Sequence, residues 1–423
     1  MSVLAKSWSA STDPLRLAYA AAGLFLVSLV VLHWGFYQHH LILDTVEYQR
    51  YGDAIADGRV PYRDFRVEYP PGALPVFALP AIGHPGFTVY DRGFQALMAL
   101  CGAGAVAAMA VALRSLRAEP GRAAGALGFA ALAPLVLGSI VLYRYDLWPA
   151  ALAVAGLAGV LAGRQRLGFA ALGLGIAAKV FPAVLVPPAL AYVWRRSGRR
   201  EALICLATAA AVGAAVVLPF LALAPHGVWE SVVRQTTRPL QVESLGAAVL
   251  LVVHQAWGLG VTLVTSHGSQ NLAGSVPDTA GAIESTLLAA SLLAVWVAAV
   301  LGPAEPERLV RYSAASVTAF VAFDKVLSPQ FLIWLIPLVP LVRGRRGLAA
   351  STVLGLVLLL TQLWFPIRYW QLVLDFDSGL WFLVLLRDLL LVALLALLVW
   401  PAKPRRPGRL GILREPGRAA VHS

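Results

Sequence analysis

The sequence predicts an all-α polytopic membrane protein, and three observations carry that reading. The 423-residue chain is 59% hydrophobic and only 13% charged, about half the charged share of a soluble domain. Its mean hydropathy is +0.73. Apolar stretches of about 20 residues, the length that crosses a bilayer as a helix, recur along the chain. Lipid therefore solvates most of this surface, and the usual division of such a length into two or three soluble domains does not apply.

Spans are expected near 17–36, 89–113, 123–142, 147–163, 201–221, 282–301, 347–365 and 380–400. The first is long and lacks a cleavage site, so it stays as an anchor. Arg-rich connections lie between the spans, at Arg114/Arg117/Arg122, Arg164/Arg166, Arg195/Arg196/Arg199/Arg200, Arg308/Arg311 and Arg343/Arg345/Arg346. A basic tail, 403–423, follows and is expected to be disordered. The net charge of +12 is thus a topology signal rather than a nucleic-acid footprint, and no nucleic-acid partner is expected. Basic connections stay in the cytoplasm, which places both termini inside. Residues 1–402 then form one transmembrane domain with long extracytoplasmic loops at 37–88 and 222–284. The excess of Arg over Lys, with abundant Ala and Gly, fits a GC-rich bacterial genome and a bacterial plasma membrane.

Two stretches, 167–194 and 312–342, are too long for one crossing and too short for two, yet both ends of each carry cytoplasmic signals. Each is expected to be a pair of short helices. The reversals fall at Lys179-Val180-Phe181-Pro182 and at Asp324-Lys325-Val326-Leu327-Ser328-Pro329, with charge just before a proline. Charge and irregular backbone reach membrane depth only where protein or a watery cavity surrounds them. The apolar run 245–264 reads as an interfacial or re-entrant helix with His254 near its middle. The total is about twelve membrane helices, four of them short.

Cys101 and Cys205 sit in apolar stretches without CxxC spacing and read as packing residues. His39-His40 is adjacent rather than helically spaced and reads as an interfacial pair. Asp375-Phe376-Asp377 has the DxD spelling of a metal-nucleotide site but falls on the outer face, where nucleotide-sugars are scarce. No metal site or cofactor is expected. Arg387 and Asp388, inside the last span, read as an internal ion pair.

Chemistry concentrates in the first outer loop. Six acidic residues and four arginines lie between Asp44 and Gly72 of a charge-poor chain. A short amphipathic helix, 45–57, is expected there, ended by Gly58. A wholly solvated loop would account for the charge, but Asp44 directly follows Leu41-Ile42-Leu43 and so lies near the membrane surface, where a partly desolvated carboxylate can act as a base. The same face receives Tyr143-Arg144-Tyr145-Asp146, the run from Arg234 to Ser244, and the two reversals. Arg144 and Asp146 could pair with each other, and Lys179 could snorkel. Taken together the groups favour one buried polar cavity, lined by both Asp44 and Lys179.

These residues are similar in order to those of glycosyltransferase family 87, the polyprenyl-phosphate-mannose-dependent mannosyltransferases of the GT-C superfamily. The resemblance runs through Asp44-Thr-Val-Glu-Tyr48, Pro61-Tyr62-Arg63-Asp64-Phe65, Glu68-Tyr69-Pro70-Pro71-Gly72 and Tyr143-Arg144-Tyr145-Asp146. It continues through Lys179-Val180-Phe181-Pro182, Arg238-Pro-Leu-Gln241-Val-Glu243-Ser244 and Ser328-Pro329-Gln330-Phe331-Leu332-Ile333-Trp334. It implies a GT-C-like bundle with Asp44 as catalytic base. The donor would be a lipid-phosphate sugar and the acceptor a hydroxyl on a lipid or envelope glycan.

An ionised phosphate diester leaves without protonation, so one carboxylate suffices where a glycosidase uses two. Arg144, Lys179, Arg238 and Lys325 are the cations for the leaving phosphate, with Tyr62, Asp64, Glu68, Asp146 and Glu243 as further substrate contacts. The expected function is inverting hexosyl transfer at the outer face, with mannose the expected sugar on family grounds. A lipid or sugar transporter is the rival, since broken helices with midplane charge also describe transporters. Against it, the chain has no internal repeat and its most charged segment is an outer loop.

Overall fold

The computed structural model describes residues 13–34, 42–374 and 378–400, and within them the chain is a bundle of helices with one small sheet. Helix α1 (Pro14–Trp34) has 21 residues, about 31 Å at 1.5 Å per residue, enough to cross the hydrocarbon core. The chain then turns out of the bundle through α2 (Thr45–Ala56). Gly58 ends that helix at φ 78°, a left-handed conformation that costs glycine little. A 3₁₀ turn (Pro71–Ala73) and α3 (Leu74–Ala78) return it to the bundle.

Next come α4 (Phe87–Ser115), α5 (Pro120–Leu137), α6 (Ile140–Tyr143), α7 (Leu147–Leu161) and α8 (Gln165–Ala178). The first expected reversal is present: α8 stops before Lys179, and a 3₁₀ turn (Phe181–Leu185) leads into α9 (Val186–Leu223). Helix α9 is two helices joined across a kink, because Gly198 leaves helical space at φ 86°, ψ 168°. Helix α10 (Pro225–Thr236) and strand β1 (Leu240–Gln241) come after it.

The run 245–264 departs in part from expectation. Helix α11 (Leu245–Trp257) has 13 residues, about 20 Å, too short for a crossing. Gly258 caps it at φ 71°, so His254 lies in its last turn instead of mid-helix. The remainder becomes strand β2 (Thr262–Ser266), paired antiparallel with β3 (Ser269–Ala273), and the sheet order is β1-β3-β2. Its turn, His267-Gly268, has positive φ at both positions, 54° and 68°. That is the geometry two-residue hairpins favour, and Thr-Leu-Val-Thr before it is β-branched enough to prefer a strand.

Helices α12 (Ser275–Leu301) and α13 (Pro306–Phe323) come next, and the second expected reversal is present as well: α13 ends before Asp324, and 3₁₀ segments (Pro329–Trp334, Val339–Leu341) carry the chain back. Helices α14 (Gly344–Gln362), α15 (Tyr369–Leu374) and α16 (Ser378–Val399) complete the order. Seven helices among the described residues are long and apolar enough to cross a membrane, and four shorter apolar ones accompany them. The chain is an all-α polytopic membrane protein. Residues 39–40, 375–377 and the tail 403–423 lie outside the described residues.

Small residues let neighbouring segments pack closely. A Cβ added to Gly168 of α8 would stand 2.6 Å from the carbonyl oxygen of Gly156 in α7, so these helices meet backbone to backbone. A Cβ on Gly72 would stand 2.6 Å from the Ala178 nitrogen. Trp148 Nε1 donates to the Gly72 oxygen at 3.1 Å. The Pro-Pro-Gly segment of the first loop is thereby fixed against the end of α8. Cys101 and Cys205 are both free thiols.

Candidate active site

Helix ends from distant parts of the chain meet at one end of the bundle. Asp44 is the N-cap of α2, but its side chain makes no capping bond. It forms an ion pair with Arg144 instead, and Tyr48 Oη lies 3.5 Å from its Oδ2. Arg144 stands between α6 and α7 in extended backbone and is 7% exposed. Asp146, the N-cap of α7, is fully buried. Its Oδ1 accepts from Lys179 Nζ at 2.6 Å and from Trp334 Nε1 at 2.7 Å, whereas its buried Oδ2 meets no donor among the described residues.

Lys179 owes its position to the interrupted α8, since an extended residue there turns the side chain inward ahead of Pro182. Its ammonium lies 4.7 Å from the ring centre of Tyr145, 5.0 Å from Trp334 and 5.3 Å from Phe331. Burying an ammonium costs several kcal/mol, and a carboxylate with three aromatic faces offsets that cost. Arg144 and Asp146, adjacent in sequence but for Tyr145, do not bond to each other; each takes its partner from another element. The result is two carboxylate-cation pairs side by side, Asp44 with Arg144 and Asp146 with Lys179. Asp44 and Lys179 belong to separate pairs.

A second polar group adjoins the first. Arg234 Nη2 donates to Glu68 at 3.0 Å, Gln235 Nε2 donates to the Glu68 carbonyl at 3.0 Å, and Arg238 Nη2 donates to Ser269 Oγ at 3.0 Å. Lys179 feels the charges of both Arg144 and Arg238. Glu243 is buried and accepts from Gln241 Nε2. Its backbone oxygen accepts from Arg387 Nη2 at 2.6 Å. Burial pushes the Glu243 carboxyl up to about 7, against the pull of Arg387, Gln241 and Arg144. At the hairpin turn, burial and the adjacent Arg234 and Arg238 push the His267 imidazole down. Arg387 and Asp388 form the expected internal pair, at 2.6 Å and fully buried.

Three expected contacts stand apart from this centre. Asp64 spends its carboxylate inside its own loop, accepting from Arg63 at 2.9 Å and from the Val60 N–H at 2.7 Å; the Arg63 bond holds it down at about 2. Tyr62 donates to the Tyr69 carbonyl at 2.6 Å and packs on Phe220. Lys325 reaches the Thr236 carbonyl at 3.4 Å, while its own backbone oxygen accepts from Gln241. These residues shape the surroundings through local bonds. Trp334 and Tyr145, by contrast, touch Lys179 directly. Trp334 closes the SPQFLIW segment, and its indole between two aromatic neighbours, Phe181 at 4.1 Å and Phe331 at 4.2 Å, is a tertiary event with no local signature.

Residues 68–329 match the glycosyltransferase family 87 model. The chain belongs to glycosyltransferase family 87. It is therefore a membrane glycosyltransferase, with a sugar donor and an acceptor as its substrates. The matched segment holds Arg144, Asp146, Lys179, Arg238, Glu243 and Lys325 and begins after Asp44. No curated protein matches the chain.

Proposed function

We propose that this glycosyltransferase takes a hexose, mannose on family grounds, from a polyprenyl-phosphate donor and passes it with inversion to a hydroxyl of a lipid or envelope glycan. In this reading both termini are cytoplasmic and the Asp44 end of the bundle faces outside, in a bacterial plasma membrane. The observation that carries it is the pairing of Asp44 with Arg144 beside that of Asp146 with Lys179. Each cation at rest is neutralised by a carboxylate, and Arg238 lies within electrostatic reach of Lys179.

An entering donor phosphate competes for the guanidinium of Arg144, whose planar fork suits phosphate oxygens. Release of Asp44 then coincides with arrival of the donor. The freed carboxylate takes the proton of the acceptor hydroxyl as that oxygen bonds to the anomeric carbon from the face opposite the phosphate. The bond from anomeric carbon to phosphate oxygen breaks, and its electron pair leaves on polyprenyl phosphate. Arg144 and Lys179 stabilise that departing charge in a water-poor setting, where fixed cations act strongly. In this reading they take the part that a divalent cation plays with nucleotide donors, and no metal or other cofactor is needed.

The test offers purified protein, with a membrane lipid extract freed of polyprenyl phosphates as acceptor, either radiolabelled polyprenyl-phosphate mannose or radiolabelled GDP-mannose. Label should pass to the lipid fraction from the polyprenyl donor alone. Transfer from the nucleotide donor in the absence of any polyprenyl phosphate overturns the reading.

A further inference from the structure

A second cleft lies at the other end of the bundle. Helix α7 begins beside Asp146 and reaches the cleft at Val160 and Leu161; α8 and α13 begin there and end at Lys179 and Asp324. The cleft is therefore about 20 Å from the Asp44 end. It encloses about 630 Å³. Arg117, after α4, Arg196, just before the Gly198 break, and Arg343, at the head of α14, line it from three separate connections. The single carboxylate in its wall, Glu307, is already engaged by both terminal nitrogens of Arg122 at 2.8 and 3.1 Å. Three guanidinium charges are thus left without a balancing carboxylate in the wall.

Two details bear on how these exposed side chains are presented: a contact at Arg196 and the backbone at Arg117. Arg196 Nη1 donates to Tyr192 Oη at 3.0 Å, and its guanidinium lies over the same ring at 5.5 Å, which orients the cation without neutralising it. Arg117 occupies the left-handed region at φ 49°, just past the end of α4, where the Ala118 N–H closes back on the Leu113 carbonyl at 3.0 Å. Glycine is the residue that such a helix ending favours, and a side chain there is strained. An arginine at a glycine position, aimed into a cleft with two more arginines, is poorly explained by stability alone.

We propose that this cleft binds a phosphate-bearing anion, at a site distinct from the reaction centre. Three forked guanidinium groups lining one cleft from different connections suit an oxyanion with several acceptor oxygens. The apolar floor of Leu116, Val160 and Leu161, at the ends of membrane helices, puts the ligand at headgroup depth. Basic pockets between membrane helices hold anionic lipid headgroups in this manner. A headgroup phosphate and a free phosphate share this chemistry.

The test uses the full chain in detergent, titrated with phosphatidylglycerol, with phosphatidylcholine, or with inorganic phosphate at constant ionic strength, and reads bound ligand by native mass spectrometry and the apparent Tm. Variants are R117G, which relieves the backbone, and R343Q. Phosphatidylglycerol should bind and raise Tm where phosphatidylcholine does not, with each variant about tenfold weaker; without ligand R117G should melt no lower than wild type. If inorganic phosphate gives the shift and the lipid does not, the same site takes a soluble anion. Equal response to all three additions, or binding unchanged in both variants, overturns the proposal. Sugar transfer is not read, so this outcome is independent of the proposed reaction.

Discussion

Lys179 and Asp146 meet at 2.6 Å in a wall of aromatic rings, and the oxygen that accepts the ammonium also accepts the indole N–H of Trp334 at 2.7 Å. One carboxylate oxygen thus ties together the interrupted α8, the start of α7 and the 3₁₀ segment after α13. Removing one partner leaves the other charge buried without compensation, at a cost of about 3–5 kcal/mol. Asp146→Asn should therefore lower the apparent Tm sharply and abolish transfer. The double variant Asp146→Asn with Lys179→Met should regain much of the Tm while staying inactive, as measured by thermal unfolding and donor turnover side by side.

Arg144→Gln separates binding from basicity. Loss of the cation beside Asp44 in the free enzyme raises the pKa of that carboxylate, so the acidic limb of the pH profile of kcat/KM should move to higher pH. With the phosphate's main partner gone, kcat/KM for the lipid donor should fall by about two to three orders of magnitude. A pH-rate series on both proteins checks the two effects, and an unmoved acidic limb would detach Arg144 from Asp44.

Much of the architecture was legible because it follows from local rules. The long spans, the two reversals and the helix 45–57 come from apolar run length, Arg clusters and punctuation by Pro and Gly, and the structure reproduces them except at 147–163, where α7 has only 15 residues, too short for a full span. The β2–β3 hairpin was missed because a continuous apolar run masks a change of period. Its His-Gly turn and β-branched Thr262–Ser266 segment were the available signal. The charged residues of the site were readable as types, but their partners were not. Arg144 and Asp146 looked like a pair, yet the extended backbone at Arg144 sends each to a different helix. Asp64, the most conspicuous loop acid after Asp44, satisfies itself locally through Arg63.

Gly72→Ala tests whether the first loop must seat against α8. The added Cβ would meet the Ala177–Ala178 peptide at 2.6 Å, closer than any carbon contact tolerates, and overpacking of this kind costs about 1–3 kcal/mol. Because the clash lies where loop and bundle join, transfer should fall more steeply than the apparent Tm. Protease accessibility of the loop should rise, which limited proteolysis would show.

Glu243 gives stability a pH dependence of known sign. Its folded-state carboxyl, pushed up to about 7 by burial, binds a proton over a range where the unfolded chain has lost it. Its contribution is therefore present at low pH and declines as pH rises from about 4.5 to about 7. Glu243→Gln should flatten that part of the stability profile and, at pH 8, raise the unfolding free energy over wild type by an amount on the order of 1–3 kcal/mol, seen as a higher apparent Tm. Unfolding curves at pH 5 and pH 8 decide the matter.

The central claim is that Asp44 is the group that takes the acceptor's proton, held by Arg144 until the donor arrives. Single-turnover transfer of labelled mannose from polyprenyl phosphate, comparing wild type with Asp44→Asn at saturating donor, tests it most directly. The account predicts that the variant still binds donor but transfers at least about a hundredfold more slowly at every pH. Transfer by Asp44→Asn at the wild-type rate would contradict it.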